Sequence, residues 1–339
     1  MPRAWWGRGY VLERAAGRVF PELVRMATKR RATLYIGHYP EGLAAAAAAA
    51  REVGAQLAFD SEDFHTGEPE GGDDLTHVDA LQRRYLPLCD YVTAGSLGIA
   101  NALTREYGIG APTTIYNVFP LHDREGLDGT IRDRRGDHLS LYWYSQAIGL
   151  DRGIQDAIRA AGLLKGPVQI HLRGAVAREV RETLLALARE CSVAEFVHFH
   201  EPVPPGELLS RTAEHDVGLA LEDGSVFNRA ICTTNKLFFY MLAGLAVAAT
   251  SVPGQATVLS ENTVAAAIYQ PGDYEQLAGI LEAWRVDRAR LRRAKAAAAQ
   301  WAEERWNWES ESRKLVALVR QTIGERSESM ATFAESGVS

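Results

Sequence analysis

Residues Thr233 to Thr250 read TTNKLFFYMLAGLAVAAT, and this stretch decides how the rest of the chain is read. Thr233 and Thr234 are good N-cap residues, and the apolar run behind them keeps helical spacing at Leu237, Tyr240 and Met241 until Gly244 supplies a stop. Leu245 to Ala249 then has the unbroken apolar character of a strand buried on both faces. A helix start with uncommitted backbone N–H groups, and with Asn235 and Lys236 in its first turn, suits an anion such as a diphosphate. The same residues also read as a capped surface helix that happens to carry a lysine.

On either side, strands and helices alternate. Leu139 to Tyr144, Val168 to Leu172, Phe196 to His200 and Val217 to Leu221 read as strands, separated by helices at Gly153 to Leu164, Val176 to Cys191 and Gly206 to Glu214. Val264 to Tyr269 adds a strand and Asp273 to Trp284 a helix, with further helices at Asp287 to Arg305 and Trp308 to Ile323. Nearer the start, strands are expected at Leu34 to Gly37, Gln56 to Asp60, around Asp90 to Thr93, and Thr113 to Tyr116, with helices at Gly42 to Glu52 and from Ser96 to Tyr107. Repeated βαβ units imply an α/β chain with two Rossmann-like, doubly wound parallel sheets. The polar stretch 123–138 reads as a linker between a domain at 1–122 and another at 139–305, followed by a last helix at 306–323 and a disordered tail at 324–339.

The run Asn235 to Tyr240, with Ala243, Gly244, Leu245 and Val247, resembles the C-terminal signature of group 1 retaining glycosyltransferases with the GT-B fold. The first half resembles the same family at Leu34 to Tyr39, Phe59 to Asp63, Asp90 to Ser96, Tyr107-Gly108 and Tyr116 to Val118. The resemblance implies a cytoplasmic enzyme of carbohydrate metabolism that moves a sugar from a nucleotide-diphosphate donor to a hydroxyl acceptor, without a cofactor or metal. It implies a last helix that crosses back onto the N-terminal domain, which is short because the family's opening strand and Gly-rich loop have no counterpart. The family's ribose-binding glutamate falls on Phe239 and its partner acid on Ile231. That departure keeps two other classes open, a non-catalytic GT-B homologue acting as a binding or regulatory subunit and a nucleotide-sugar epimerase.

Ligands in open parallel sheets sit outside the carboxyl ends of the strands, so the loops there supply the candidates. Gln146, Gly149, Arg152 and Gly153 follow the strand ending at Tyr144; in the resembled family this loop holds the donor phosphates with an arginine and a Lys-Gly pair. Arg173 follows the next strand, and Glu222 and Asn228 precede the signature helix, where an acid or amide could take the ribose. With Thr234, Asn235, Lys236 and Tyr240 these make the expected donor site, and Arg152 and Lys236 are expected to stabilise the leaving diphosphate. In the first half, DSEDFHTGE at 60–68 brings up Glu62, at the place of a family histidine, and His65 as catalytic candidates, with His38 nearby. His198 and His200 share one face of a strand, a spacing that suits a metal but lacks an evident third ligand.

Bulk properties narrow the alternatives. The 339 residues suffice for two cores, and 47% hydrophobic with 24% charged residues is an ordinary globular balance. Net charge is −6, and the first 31 residues, with eight Arg or Lys against two Glu, carry +6, which leaves −12 elsewhere and argues against nucleic acid as a partner. Basic residues 1–31, interleaved with Trp5, Trp6, Phe20 and Leu23, suit either a peripheral membrane contact or a helix packed on the domain. Cys89, Cys191 and Cys232 form no C-x-x-C pair, as in a reducing compartment, and no signal peptide or membrane span is read. A short N-terminal sheet with an uncovered edge makes an oligomer a further expectation. No Gly-x-Gly-x-x-Gly, P-loop or Gly-x-Ser-x-Gly motif competes with this reading.

Overall fold

A computed structural model describes residues 11–16, 19–67, 75–134, 136 and 138–336. The described chain forms two compact units: one holds the residues up to Tyr116, Val226–Asn228 and those from Ser312 onward, and the other holds Asn117–Ser225 and Arg229–Glu311. Among the described residues no helix is long and apolar enough to cross a membrane.

The first unit runs α1 (Val11–Ala16), α2 (Phe20–Thr28), β1 (Leu34–His38), α3 (Tyr39–Val53), β2 (Gln56–Ser61), α4 (Thr76–Tyr85), β3 (Tyr91–Ala94), α5 (Leu97–Tyr107) and β4 (Thr113–Thr114). Its four strands are parallel and stand in chain order, with His38 opposite Asp60 and Asp60 opposite Thr93. Leu57, Ala58 and Phe59 are buried, as a strand covered on both faces requires. Alanines 44–50 make α3 thin enough to lie between the sheet and α1, α2 and α4 with every one of them buried. Ser96 accepts from Ile99 N at 3.0 Å to start α5, and Gly108 at φ 64° ends it. The membrane expectation for residues 1–31 falls partly on 1–10 and 17–18, outside the described residues; Phe20 and Val24 of α2 are buried while Val19 and Met26 are exposed.

The second unit runs β5 (Leu139–Ile148), α6 (Ile154–Leu163), β6 (Val168–Val176), α7 (Arg178–Glu190), β7 (Val197–His200), α8 (Pro205–Ala213), β8 (Val217–Ala220), α9 (Phe227–Ile231), α10 (Asn235–Leu242), β9 (Ala246–Thr250), α11 (Pro253–Leu259), β10 (Ala266–Tyr269), α12 (Tyr274–Val286) and α13 (Arg288–Glu304), before α14 (Trp308–Ser336). The six strands are parallel in the order β10-β9-β8-β5-β6-β7, so the winding reverses between β5 and β8. Its core gathers Leu141, Trp143, Ile158, Ile170, Leu219 and Ala248. α14 continues to Ser336, through residues expected as a disordered tail; Gly324 sits there alone without a proline, too weak a break to stop a helix already under way.

The described residues among 123–138, expected as a linker, cluster instead with the second unit. Their charges find partners: Asp128 meets Arg211 at 2.6 Å, the backbone N–H groups of Arg132 and Asp133 donate to Glu214 Oε2 at 2.8 and 2.7 Å, and Arg134 bonds Asp216 at 3.0 Å. Polar composition marked this stretch as solvated, but its acids and arginines complement those around α8.

Those contacts border a buried group of imidazoles. His171 Nε2 donates to Gln169 Oε1 at 3.2 Å, which leaves its Nδ1 to accept from His200 Nε2 at 2.9 Å. His198 and His215 lie tilted against the same ring at centroid distances of 4.9 and 4.5 Å, and His215 Nδ1 shares a 2.7 Å hydrogen bond with Ser140 Oγ. Burial first, and the neighbouring imidazoles second, push His171 down to about 3 and His215 well below its ordinary value. Both bind a proton more readily unfolded, so stability contributed by the neutral rings is full above pH 6.5 and is lost as pH falls below it. We expect unfolding free energy to drop by about 1.4 kcal/mol per pH unit for each such histidine between roughly pH 6 and 4.5. Urea titrations at stepped pH check this, and His171→Gln should flatten the slope.

Candidate functional site

The winding reverses between β5 and β8, and in open parallel sheets the carboxyl ends of the strands at such a reversal are where ligands bind. β5 does not stop at Tyr144: its register slips between Tyr144 and Ala147 and it runs on to Ile148, with Gln146 and Ala147 exposed on the irregular turn. Gly153, at φ 67°, follows, and a Cβ there would lie 2.2 Å from Leu221 O. Only glycine allows the loop to touch the end of β8, and that contact brings Arg152 to Glu222.

Charge is concentrated here. Arg152 Nη1 lies 3.7 Å from Glu222 Oε2 and its Nε 3.5 Å from Asp151 Oδ2, while Arg229 Nη1 bonds Asp151 Oδ2 at 2.6 Å. Lys236 Nζ sits over the Trp143 ring, 5.7 Å from its centroid. Burial lowers the Lys236 pKa most; Glu222 opposes that, and the Arg152 and Arg229 charges add to it. Glu222 is 7% exposed, and its Oε2 is buried without a hydrogen-bond partner. Thr234 caps α10 by position only, since its side chain accepts no cap bond, and Thr233 Oγ1 donates to Gly254 O at 2.8 Å instead. The first turn of α10, with Asn235 and Lys236, is therefore left for a ligand. Three cations around one buried carboxylate and an uncapped helix start make this the candidate anion site, with a polar acceptor beside it.

Not every expected residue takes part. Arg173 is 4% exposed and committed to Tyr142 Oη at 3.0 Å, Glu201 O at 2.6 Å and Asp133, so it is a core ion-pair member and not a phosphate ligand. Tyr240 is fully buried, donates to Leu219 O at 3.1 Å and presses its ring on Gly218, so it holds the helix down and touches no crevice. Asn228 clusters with the first unit, where it accepts from Phe64 N at 2.7 Å and donates to Asp63 Oδ1 at 2.9 Å, which removes it from the ribose. Phe239 is buried, packed on Phe119 at 4.7 Å and Tyr144 at 5.2 Å between ring centroids. Arg229, absent from the sequence expectation, joins the charge cluster; its signal was a single arginine in a turn-forming stretch, too common to single out.

The first unit carries its own strand-mouth group. His65 lies on a 3-10 turn after β2, beside Tyr39 at 5.6 Å and Phe59 at 6.3 Å, and its buried Nε2 has no hydrogen-bond partner. Burial lowers its pKa, against the opposing pull of Asp63 and Glu41. Glu62 is exposed and within 4.8 Å, ligand atom to ligand atom, of His38 and Asp60.

No protein-family model matches the chain, and no curated protein matches it in sequence. Solved structures do. The chain is similar to HepE of Anabaena in complex with UDP, at 16% identity over 91% of this chain and 83% of that one, with a TM-score of 0.72. It is similar to sucrose-phosphate synthase of Thermosynechococcus elongatus at 18% identity over 91% and 80%, TM-score 0.72. A glycosyltransferase of Rickettsia africae matches at 11% identity over 94% and 83%, again with a TM-score of 0.72. At such identities the likeness fixes architecture: the chain has the α/β GT-B fold, with two sheets of parallel strands.

The Gly153 contact gives a direct check on the site's geometry. Gly153→Ala should cost at least about 1 to 2 kcal/mol, from the left-handed backbone alone, before the collision with Leu221 O is added. Chemical denaturation reads the loss, and an unchanged midpoint would contradict the close approach described above.

Proposed function

We propose that this protein is a glycosyltransferase that takes a sugar from a nucleotide-diphosphate donor held on its C-terminal unit and passes it to a hydroxyl acceptor, with retention at the anomeric carbon. The observation that carries the reading is the cluster of Arg152, Arg229 and Lys236 at the start of α10, at the carboxyl mouth of β5 and β8. Cleaving the bond to the sugar leaves negative charge on the diphosphate; fixed cations and uncapped N–H groups lower that barrier without reorganising. The HepE complexes with UDP and with UDP-glucose support a uridine nucleotide as the donor class. Glu222, the buried acceptor beside Arg152, takes the ribose or sugar hydroxyls in place of the family's glutamate. On the first unit, burial keeps His65 neutral near pH 7, the form that accepts a proton from an acceptor hydroxyl, and Glu62 stands nearby as the alternative base.

Phe239 favours a second reading. Where the resembled family has an acid, a buried aromatic contact occupies the position, as it would in a homologue that binds nucleotide sugars without turning them over. Calorimetry with UDP separates binding from its absence: Lys236→Ala and Arg152→Ala should each weaken it by about 1.5 to 3 kcal/mol. Unaltered affinity in both variants would remove the site. Release of UDP from UDP-glucose in the presence of acceptor extracts then distinguishes the enzyme from the silent binder. Glu222→Gln should weaken UDP more than free pyrophosphate, because only the nucleotide carries the ribose; equal losses would take Glu222 out of that role.

A further inference from the structure

We propose that His38, Asp60 and Glu62 bind one divalent transition cation of the Zn²⁺ or Mn²⁺ class at the mouth of the first unit's sheet. The inference stands apart from the diphosphate site, and of the two candidate bases it takes Glu62 as a ligand and leaves His65. His38 and Asp60 are register partners at the carboxyl ends of β1 and β2, and Glu62 lies in the bend that directly follows β2, at the same strand mouth. The candidate ligand atoms of all three lie within 4.8 Å of one another. His38 Nδ1 and Asp60 Oδ2 are 3.2 Å apart. Two donors each about 2.0 to 2.2 Å from one ion, at tetrahedral or octahedral angles, stand at nearly that separation.

The row is supported from behind. Thr93, opposite Asp60 on β3, donates its hydroxyl to Asp60 Oδ1 at 2.6 Å, which turns Oδ2 toward His38 in the manner of an outer-shell partner of a metal ligand. Gly37 lets the start of α3 press on β1, since a Cβ there would come within 2.6 Å of Leu43 Cα, and that packing fixes the backbone that carries His38. Gly95 does the same for Glu62, whose carbonyl would be 2.7 Å from an added Cβ. Among the described residues neither Asp60 nor Glu62 has a Lys or Arg partner, so two carboxylates share a small volume with only an imidazole between them. A divalent ion cancels both charges. One nitrogen and two oxygens suit a borderline cation better than Mg²⁺ or Ca²⁺, and three protein ligands at an exposed site leave coordination positions open to water or another oxygen donor.

Equilibrium dialysis of the full chain against Zn²⁺, and electron paramagnetic resonance of added Mn²⁺, test the site. One ion per chain should bind, with Zn²⁺ displacing Mn²⁺. His38→Gln and Glu62→Gln change exposed side chains and leave the core alone; each should weaken binding at least about 10-fold, and Thr93→Val about 10-fold through the outer shell. His122→Gln, at an exposed histidine of the second unit, should change nothing. The absence of saturable one-to-one binding, or affinities untouched by both His38→Gln and Glu62→Gln, or an equal loss in His122→Gln, overturns the proposal.

Discussion

The second unit depends on one close approach, that of the Tyr240 ring to the backbone of β8. A Cβ on Gly218 would stand 2.2 Å from Tyr240 Cγ, so no other residue lets the helix lie so near the strand. The phenol hydroxyl then reaches Leu219 O, the ring meets Tyr144 edge-on, and Leu237, Phe238 and Met241 of the same helix are buried as well. With α10 pinned this way, its first turn has one place to be, over the point where the winding of the sheet reverses. The charge cluster follows from that placement, because Lys236 is carried by the helix while Arg152 is carried by a loop that Gly153 seats on the end of β8.

Much of this was legible before any coordinates. The apolar runs and their periods pointed to the strands of both units and most of the helices, although not to α4 or α9, since parallel strands covered on both faces leave an apolar signature. The placement of Lys236 in the first turn of α10 and of Arg152 and Gly153 in the loop after β5 was also readable, because a cation at a helix start and a glycine after a strand have direct local causes. What failed was anything that depended on which way a polar side chain turned. Arg173 looked like loop charge and is a core ion pair; Asn228 looked like a ribose contact and is bonded to Phe64 and Asp63. Neither partner is near in sequence. The short helix α11 has no counterpart in the sequence reading; Pro253 and Gly254 open it, and proline is well tolerated in a first helical turn.

The same lesson applies to the histidines. His198 and His200 showed their shared face by alternation, but His171 and His215 joined them through the pairing of β6 with β7 and the packing of the residues before β8. Four imidazoles meet beside Arg134 and Arg173, with a ring-to-ring hydrogen bond between His171 and His200, and Asp133 and Asp216 pair with the arginines. The interior is therefore specified by donor and acceptor matching as well as by volume.

Helix α3 has a different character. Ala44 to Ala50 are all buried, so the middle of the first unit's central helix is a smooth rod with no long side chain to freeze on folding and none to interlock with its neighbours. A rod without knobs has little to fix its position along its own axis. Its ends must do so: Tyr39 holds a left-handed φ of 58° at the start, and Gly54, at 72°, sends its N–H back to Ala50 O at the finish. The helix is thus located like a pin between two stops, with the close approach of Leu43 to Gly37 holding its first turn on β1.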